Sequence, residues 1–184
     1  GLLYIAAYLK QHDVANDVFD ATFYSYDEQL KFIQEKQPKV VAIYTNLMTK
    51  LNVVKLVKEL TSNIKYGFPK IFIGGPDITY NLKNYLNLGA HFLIIGEGEE
   101  TTLELYKSII NNTSFKNISG IAYLKGKEVV KTSPRIKMKN LSELPLPNRA
   151  AIPIEKYLKV FHKSEEEHWK RLSPPSVNQN FAEH

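Results

Sequence analysis

At 184 residues the chain can hold one full domain with an appendage. Hydrophobic residues at 43% and charged residues at 23% are an ordinary globular composition, and the net charge of +5 is a lysine excess spread along the chain. The absence of cysteine excludes disulfides, thiolate metal sites, a protein-held iron–sulfur cluster and cysteine nucleophiles within these residues. No apolar run approaches the roughly 18 residues of a membrane span, and no signal-peptide pattern opens the chain.

Leu2, Ile5, Ala6 and Leu9 repeat at helical spacing, so an amphipathic helix begins the chain. Residues 16–21 read as a short strand. Asp27 is the expected N-cap of a helix to about Glu35, with Leu30 and Ile33 inward and Pro38 beyond its end. The apolar run Val40–Tyr44 follows as a buried strand. The next helix starts near Thr49 and uses Val53, Leu56, Val57, Leu60 and Ile64. Gly67 and Pro69 punctuate before a strand at 70–73. Ile78, Leu82, Tyr85 and Leu86 mark a helix closed by Gly89. A strand at 92–95 and a helix over 99–111 complete the alternation.

Strands that are apolar throughout are covered on both faces, so the pattern predicts a parallel, doubly wound α/β sheet. Such sheets begin with their central strand, and this chain begins with a helix. Without that strand its neighbours would carry unpaired edges, so a strand just upstream of Gly1 is expected. Beyond Asn112 the pattern changes. Segments 118–124 and 128–132 flank Lys125, Gly126 and Lys127 as a β-hairpin. Pro145, Pro147 and Pro153 then make a stiff extended linker, and the segment from Phe161 is polar. A short helix is possible over 164–172, with the last ten residues loose.

The chemistry concentrates at strand ends. In open α/β sheets ligands bind outside the carboxyl ends of the strands. Gly74, Gly75 and Pro76 end one strand, and glycine lets main-chain amides approach a ligand closely. A tight strand-to-helix turn explains the same residues. Gly96, Glu97, Gly98 and Glu99 end the next strand. Their carboxylates complement the following helix and would repel a pyrophosphate, and there is no phosphate-loop lysine. A neutral ligand held by backbone groups, or simple helix capping, fits them. Thr45, Asn46 and Leu47 end the Val40–Tyr44 strand on the same rim, with ligand contact and capping both open. Asp20 and Thr22 are a weaker candidate of the same kind.

Lys50, Lys55, Lys58 and Lys65 read as a solvated helix face. With Arg135, Arg149 and Arg171 as the only arginines, no basic stripe for nucleic acid forms. None of His12, His91, His162, His168 and His184 stands at metal-binding spacing, His12 falls in a turn on the opposite rim from the glycines, and no catalytic constellation stands out. No metal site, no catalytic residue and no self-contained active site is therefore assigned.

Five motifs occur in a familiar order: Leu2 to Leu9, Ile73 to Pro76, Ile95 to Glu99, Ile118 to Ile121, and Leu141 to Arg149. Together they resemble the N-terminal cobalamin-binding region of B12-dependent radical S-adenosylmethionine proteins, the group of magnesium-protoporphyrin ester cyclases and several methyltransferases. The resemblance covers roughly residues 1–158. It implies a flavodoxin-like (Rossmann-like) fold whose strand-end rim receives the nucleotide tail of cobalamin. Thr45, Asn46 and Leu47 are similar to the family's Ser-x-Leu motif, with threonine for serine. Gly74 and Gly75, with Pro76 after them, are similar to its Gly-Gly motif, and Gly96, Glu97, Gly98 and Glu99 would line the same rim.

The cobalt-ligating Asp-x-His-x-x-Gly loop of other cobalamin proteins does not occur in the chain. Neither does the three-cysteine motif of radical enzymes, so the resemblance places the 4Fe-4S cluster and S-adenosylmethionine in a C-terminal radical domain of the same parent chain. The expected organisation is a cobalamin-binding α/β domain at 1–113, a hairpin extension at 114–134, a linker at 135–160 and a polar segment at 161–184 leading toward that domain. A cytoplasmic module without membrane or nucleic-acid partners follows. A flavodoxin- or response-regulator-like sensor without catalysis is the alternative, though Thr45 and Asn46 stand where a phosphoacceptor aspartate would be needed. A nucleotide-sugar half-domain lacks the basic residues for a diphosphate.

Overall fold

The structure, a computed structural model, describes residues 1–172. The first helix, α1 (Leu2–Gln11), leads into a single 3-10 turn at Ala21–Phe23, where Asp20 accepts from the Thr22 amide at 3.1 Å. Residues 16–20 form no strand. They pair with no member of the sheet, and Asp17 instead meets Lys36 at 3.1 Å. Helix α2 (Tyr26–Lys36) starts two residues earlier than Asp27 suggested. Ser25 is its N-cap, and Ser25 and Glu28 exchange side-chain and backbone bonds as a capping box.

Strand β1 (Val40–Tyr44), helix α3 (Lys50–Ser62), strand β2 (Lys70–Gly74), helix α4 (Ile78–Leu88), strand β3 (Phe92–Ile94) and helix α5 (Glu99–Ile110) then alternate as expected. Ile64 lies past the end of α3 in a 3-10 turn and is 77% exposed, so it is no core residue. The sheet order is β1-β2-β3-β4-β5, with β1, β2 and β3 parallel. The hairpin, β4 (Ile121–Lys125) and β5 (Glu128–Lys131), joins this same sheet, β4 running antiparallel to β3. The sheet is therefore mixed rather than wholly parallel. Burial explains why: the apolar β3 would otherwise offer an open edge at Leu93 and Ile94, both of which pair with β4.

Alternate strand residues feed two cores. On one face Ile71, Ile73 and Leu93 pack with Val53, Leu56, Val57, Leu60, Tyr85 and Leu86 of α3 and α4, and with Ile33 of α2. On the other, Phe72, Phe92 and Ile94 pack with Leu105 of α5 and with Ile118 and Ile121. Phe72 and Phe92 meet edge to face at 5.7 Å, as do Phe92 and Phe115 at 4.8 Å. At the start of β3, His91 substitutes a ring nitrogen for a carbonyl: the Ile71 amide donates to its Nδ1 at 3.1 Å. Burial pushes this imidazole below its ordinary pKa, and Lys70 nearby adds to the effect. β1 is one of the sheet's two open edges. It pairs with β2 alone, and contrary to the expected buried strand none of its residues is fully buried, Ala42 and Tyr44 being exposed.

The chain divides into two compact units, Gly1–Asn148 and a second beginning at Arg149. In the second, a 3-10 turn at Arg149–Ala151 precedes helix α6 (Ile154–Leu172). The segment expected to remain extended to residue 160 is thus helical from Ile154, directly after Pro153, which is compatible with a helix start. The helix foreseen over 164–172 is its second half. The loose ending expected for the last ten residues, like His184, lies outside the described residues. No helix among the described residues is long and apolar enough to cross a membrane.

Candidate ligand-binding rim

Parallel register brings the three strand ends together. Tyr44 pairs with Gly74, and Gly74 with Ile94, so the turns after β1, β2 and β3 leave one carboxyl-end rim side by side. The main sequence-derived candidates lie at these strand ends: Thr45, Asn46 and Leu47 after β1; Gly74, the last residue of β2, with Gly75 and Pro76 after it; Gly96, Glu97 and Gly98 after β3, with Glu99 opening α5. Asp20 and Thr22 are occupied with each other, the Thr22 hydroxyl donating to Asp20 at 2.7 Å.

The first two turns interlock. Gly75 has φ +116°, and a Cβ there would lie 2.1 Å from the Thr45 carbonyl oxygen, so backbone meets backbone with no room for a methyl. Beneath them runs a buried hydrogen-bond chain. Tyr85 of α4 donates its hydroxyl proton to Asp77 Oδ2 at 2.6 Å. The bond between Thr45 Oγ1 and the Tyr85 oxygen, 3.0 Å long, must then carry the threonine's proton. Lys50 Nζ reaches the same Asp77 oxygen at 3.4 Å, and Asn81 donates to it at 3.2 Å. The bond from Tyr85 holds the Asp77 carboxyl below its ordinary value, with Lys50 acting in the same direction. Burial pushes the Tyr85 phenol up, and its bond to Asp77 adds to this. Asn46 closes the turn before α3, its Oδ1 accepting from the Thr49 amide at 2.9 Å, while Thr49, the N-cap of α3, has no side-chain cap bond.

The third turn is open at one glycine and closed at the other. Gly96 has φ +87° with nothing within 4 Å of a Cβ position. A Cβ on Gly98 would meet Ile5 Cδ1 of α1 at 2.8 Å. Between them, the Glu97 carboxylate accepts the Met138 amide at 2.7 Å, so its side chain is engaged by the segment that follows the hairpin. Glu100 and Glu104 both bind the Arg135 guanidinium. One turn into α5, the buried hydroxyl of Thr102 has no hydrogen-bond partner.

Residue-type reasoning missed several contributors. Asp77, Lys50 and Tyr85 form the support beneath the rim, yet Tyr85 sits at a helical core position and shows no polar signal in sequence. Leu47, Met48, Leu51 and Tyr80, in or next to the turns after β1 and β2, are 79–88% exposed. That is an apolar ledge where a solvated helix start would be polar. Among the described residues no group of acidic or histidine side chains could hold a metal ion.

The rim thus offers positive-φ glycine backbone, an apolar ledge and cations already paired with carboxylates. It suits a large uncharged ligand better than a diphosphate. Residues 1–106 match the B12 binding domain family. The chain belongs to that family. It is 26% identical over 165 residues to an uncharacterized methyltransferase of Pyrococcus horikoshii, a match covering 85% of this chain and 34% of the relative. Its fold is similar to that of the cobalamin-dependent S-adenosylmethionine radical enzyme OxsB with aqua-cobalamin and S-adenosylmethionine bound. There the TM-score is 0.71 at 19% identity, over 80% of this chain and 21% of OxsB. The radical S-adenosylmethionine methyltransferase TsrM of Kitasatospora setae, with cobalamin and a 4Fe-4S cluster bound, gives a TM-score of 0.61 at 15% identity, over 79% of this chain and 28% of TsrM. This B12 binding domain therefore spans about a third of the curated relative and less of each solved enzyme.

Proposed function

We propose that the rim receives the nucleotide tail of cobalamin and that the domain serves a B12-dependent radical S-adenosylmethionine enzyme, methyl transfer being the best-supported reaction. The observation that carries the reading is the pair of glycine turns. Gly75 is fixed against Thr45 with its backbone uncovered by any side chain of its own, and Gly96 opens onto free space beside it. An uncharged benzimidazole base asks for apolar walls and main-chain donors, and the rim supplies those.

In this reading Asn46 and Leu47 wall one side of the tail with buried Thr45 holding them from beneath, Gly74, Gly75 and Pro76 form the floor, and Gly96, Glu97, Gly98 and Glu99 close the other side. The Thr45–Tyr85–Asp77 chain keeps the floor from moving, because it ties the end of β1 to the start of α4. Leu47, Met48, Leu51 and Tyr80 shed water when the ligand covers them. Cobalamin when bound supplies the cobalt-centred methyl-carrying chemistry, and the protein supplies position and shelter. The 4Fe-4S cluster, S-adenosylmethionine and their C-terminal domain belong to the parent chain, and the setting is the cytoplasm.

The test is to mix the purified protein with hydroxocobalamin and separate it by gel filtration. The reading requires co-elution of the visible absorbance with protein near one equivalent. Elution of all the colour in the small-molecule volume contradicts it.

A further inference from the structure

The segment that leaves the hairpin does not pass the rim freely. The Gly120 amide donates to the Ser133 carbonyl at 2.8 Å, and Gly120 in turn accepts the Ile95 amide at 2.7 Å. Two residues on, Arg135 is only 11% exposed and divides its guanidinium three ways. Nε donates to Thr101 Oγ1 at 2.6 Å, Nη1 to Glu100 at 2.6 Å, and Nη2 to Glu104. The Thr101 hydroxyl, having accepted from Arg135, points its own proton at the carbonyls of Glu97 and Ser119, at 3.2 and 3.3 Å. Met138 completes a ring by donating its amide to the Glu97 carboxylate at 2.7 Å. Farther along, the Asn148 amide donates to the Leu3 carbonyl of α1 at 3.1 Å.

Glu97 is therefore gripped at both ends, its carbonyl through Thr101 and Arg135 and its carboxylate through Met138. It stands between Gly96 and Gly98, so it is the polar side chain by which this glycine stretch is held. Stabilising the helix start does not call for such a circuit, since Glu99 and Glu100 already complement the helix dipole of α5. A carboxylate that accepts a main-chain amide from a residue 41 positions away serves to join two segments.

We propose that Arg135 and Glu97 are positioning residues that lock the loop after β3 to residues 133–138, so that occupancy of the rim is felt in the segment leaving the domain. This rests on the cobalamin reading given above. The loop and the segment act as one unit: a ligand that orders Gly96 and Gly98 also tightens the Met138 amide, and loosening Arg135 frees the loop.

Residue-resolved amide hydrogen exchange tests this in two arms. Without ligand, Arg135→Gln raises exchange of the Ile95, Gly120 and Met138 amides together by about tenfold, leaving the β2 amides unchanged. Arg135→Lys, which keeps the charge but not the three-way fork, restores part of the protection. Exchange that rises at Met138 alone, or equally throughout the protein, overturns the proposal. With hydroxocobalamin bound, wild-type protein slows Met138 exchange, Glu97→Ala abolishes that slowing, and Glu97→Gln, which keeps an acceptor oxygen, retains it in part. Cobalamin binding with Met138 unaffected overturns the coupling and leaves the cobalamin reading standing. No cobalamin binding at all overturns both.

Discussion

The turns after β2 and β3 leave the same rim and both are rich in glycine, yet they are built on opposite plans. At Gly75 the glycine is demanded by the protein itself: the Thr45 carbonyl occupies the place of a side chain, and Tyr85 and Asp77 fasten the turn from below. At Gly96 nothing within the protein requires the missing side chain, apart from a positive φ. Gly75 completes a finished piece of structure, and Gly96 stands beside space kept clear. Glycine at a strand end therefore carries two meanings, and only the neighbours of its absent Cβ tell them apart.

The contrast can be broken first at Gly75. Gly75→Ala forces backbone apart and adds strain at positive φ, so it should cost about 2–3 kcal/mol or more of folding stability, read by urea unfolding. A cost near zero would mean that the two turns do not touch in solution. Tyr85→Phe tests the fastening beneath. It strips the donor from Asp77 and the acceptor from buried Thr45, and should cost about 1–3 kcal/mol in the same assay. Gly96→Ala sharpens the other side of the comparison. Its stability cost should be smaller, about 1 kcal/mol from backbone strain alone, while its hydroxocobalamin affinity falls by more than that strain explains.

The smallest effect belongs to the opposite rim, away from both turns. His91 accepts from the Ile71 amide only when neutral, and its folded pKa lies below the ordinary value of 6.5. A depressed pKa means that the unfolded chain takes up the proton first. The stability held above about pH 6.5 is thus lost as pH falls from there through the lowered folded value. Thermal melts between pH 7.5 and 5.5 should show this slope in wild type and a flatter one in His91→Asn. Cobalamin binding by either protein should not follow it.

Much of this was legible because it is local. The apolar runs at β1, β2 and β3 and the helical spacing of Val53, Leu56, Val57 and Leu60 each declare themselves within a dozen residues. The glycine motifs, taken in order, carried the family as well. Residues 16–21 failed because a strand is defined by its neighbour, and none pairs with them in the sheet. The capping box of Ser25 and Glu28 is present in sequence, but Asp27 beside it offers the same cap chemistry and lies inside the first turn. The Tyr85–Thr45 and Arg135–Thr101 bonds join residues 40 and 34 positions apart. No local pattern marks such pairs, and Tyr85 in particular looks like any core aromatic on a helix.

The claim that the glycine turns form a cobalamin-binding rim is met most directly by amide chemical-shift mapping during titration with hydroxocobalamin. The account predicts that the Gly75 and Gly96 amides shift together and saturate near one equivalent, with the His91 end of the sheet unmoved. Saturation in which both glycines stay in place while amides elsewhere respond would contradict it.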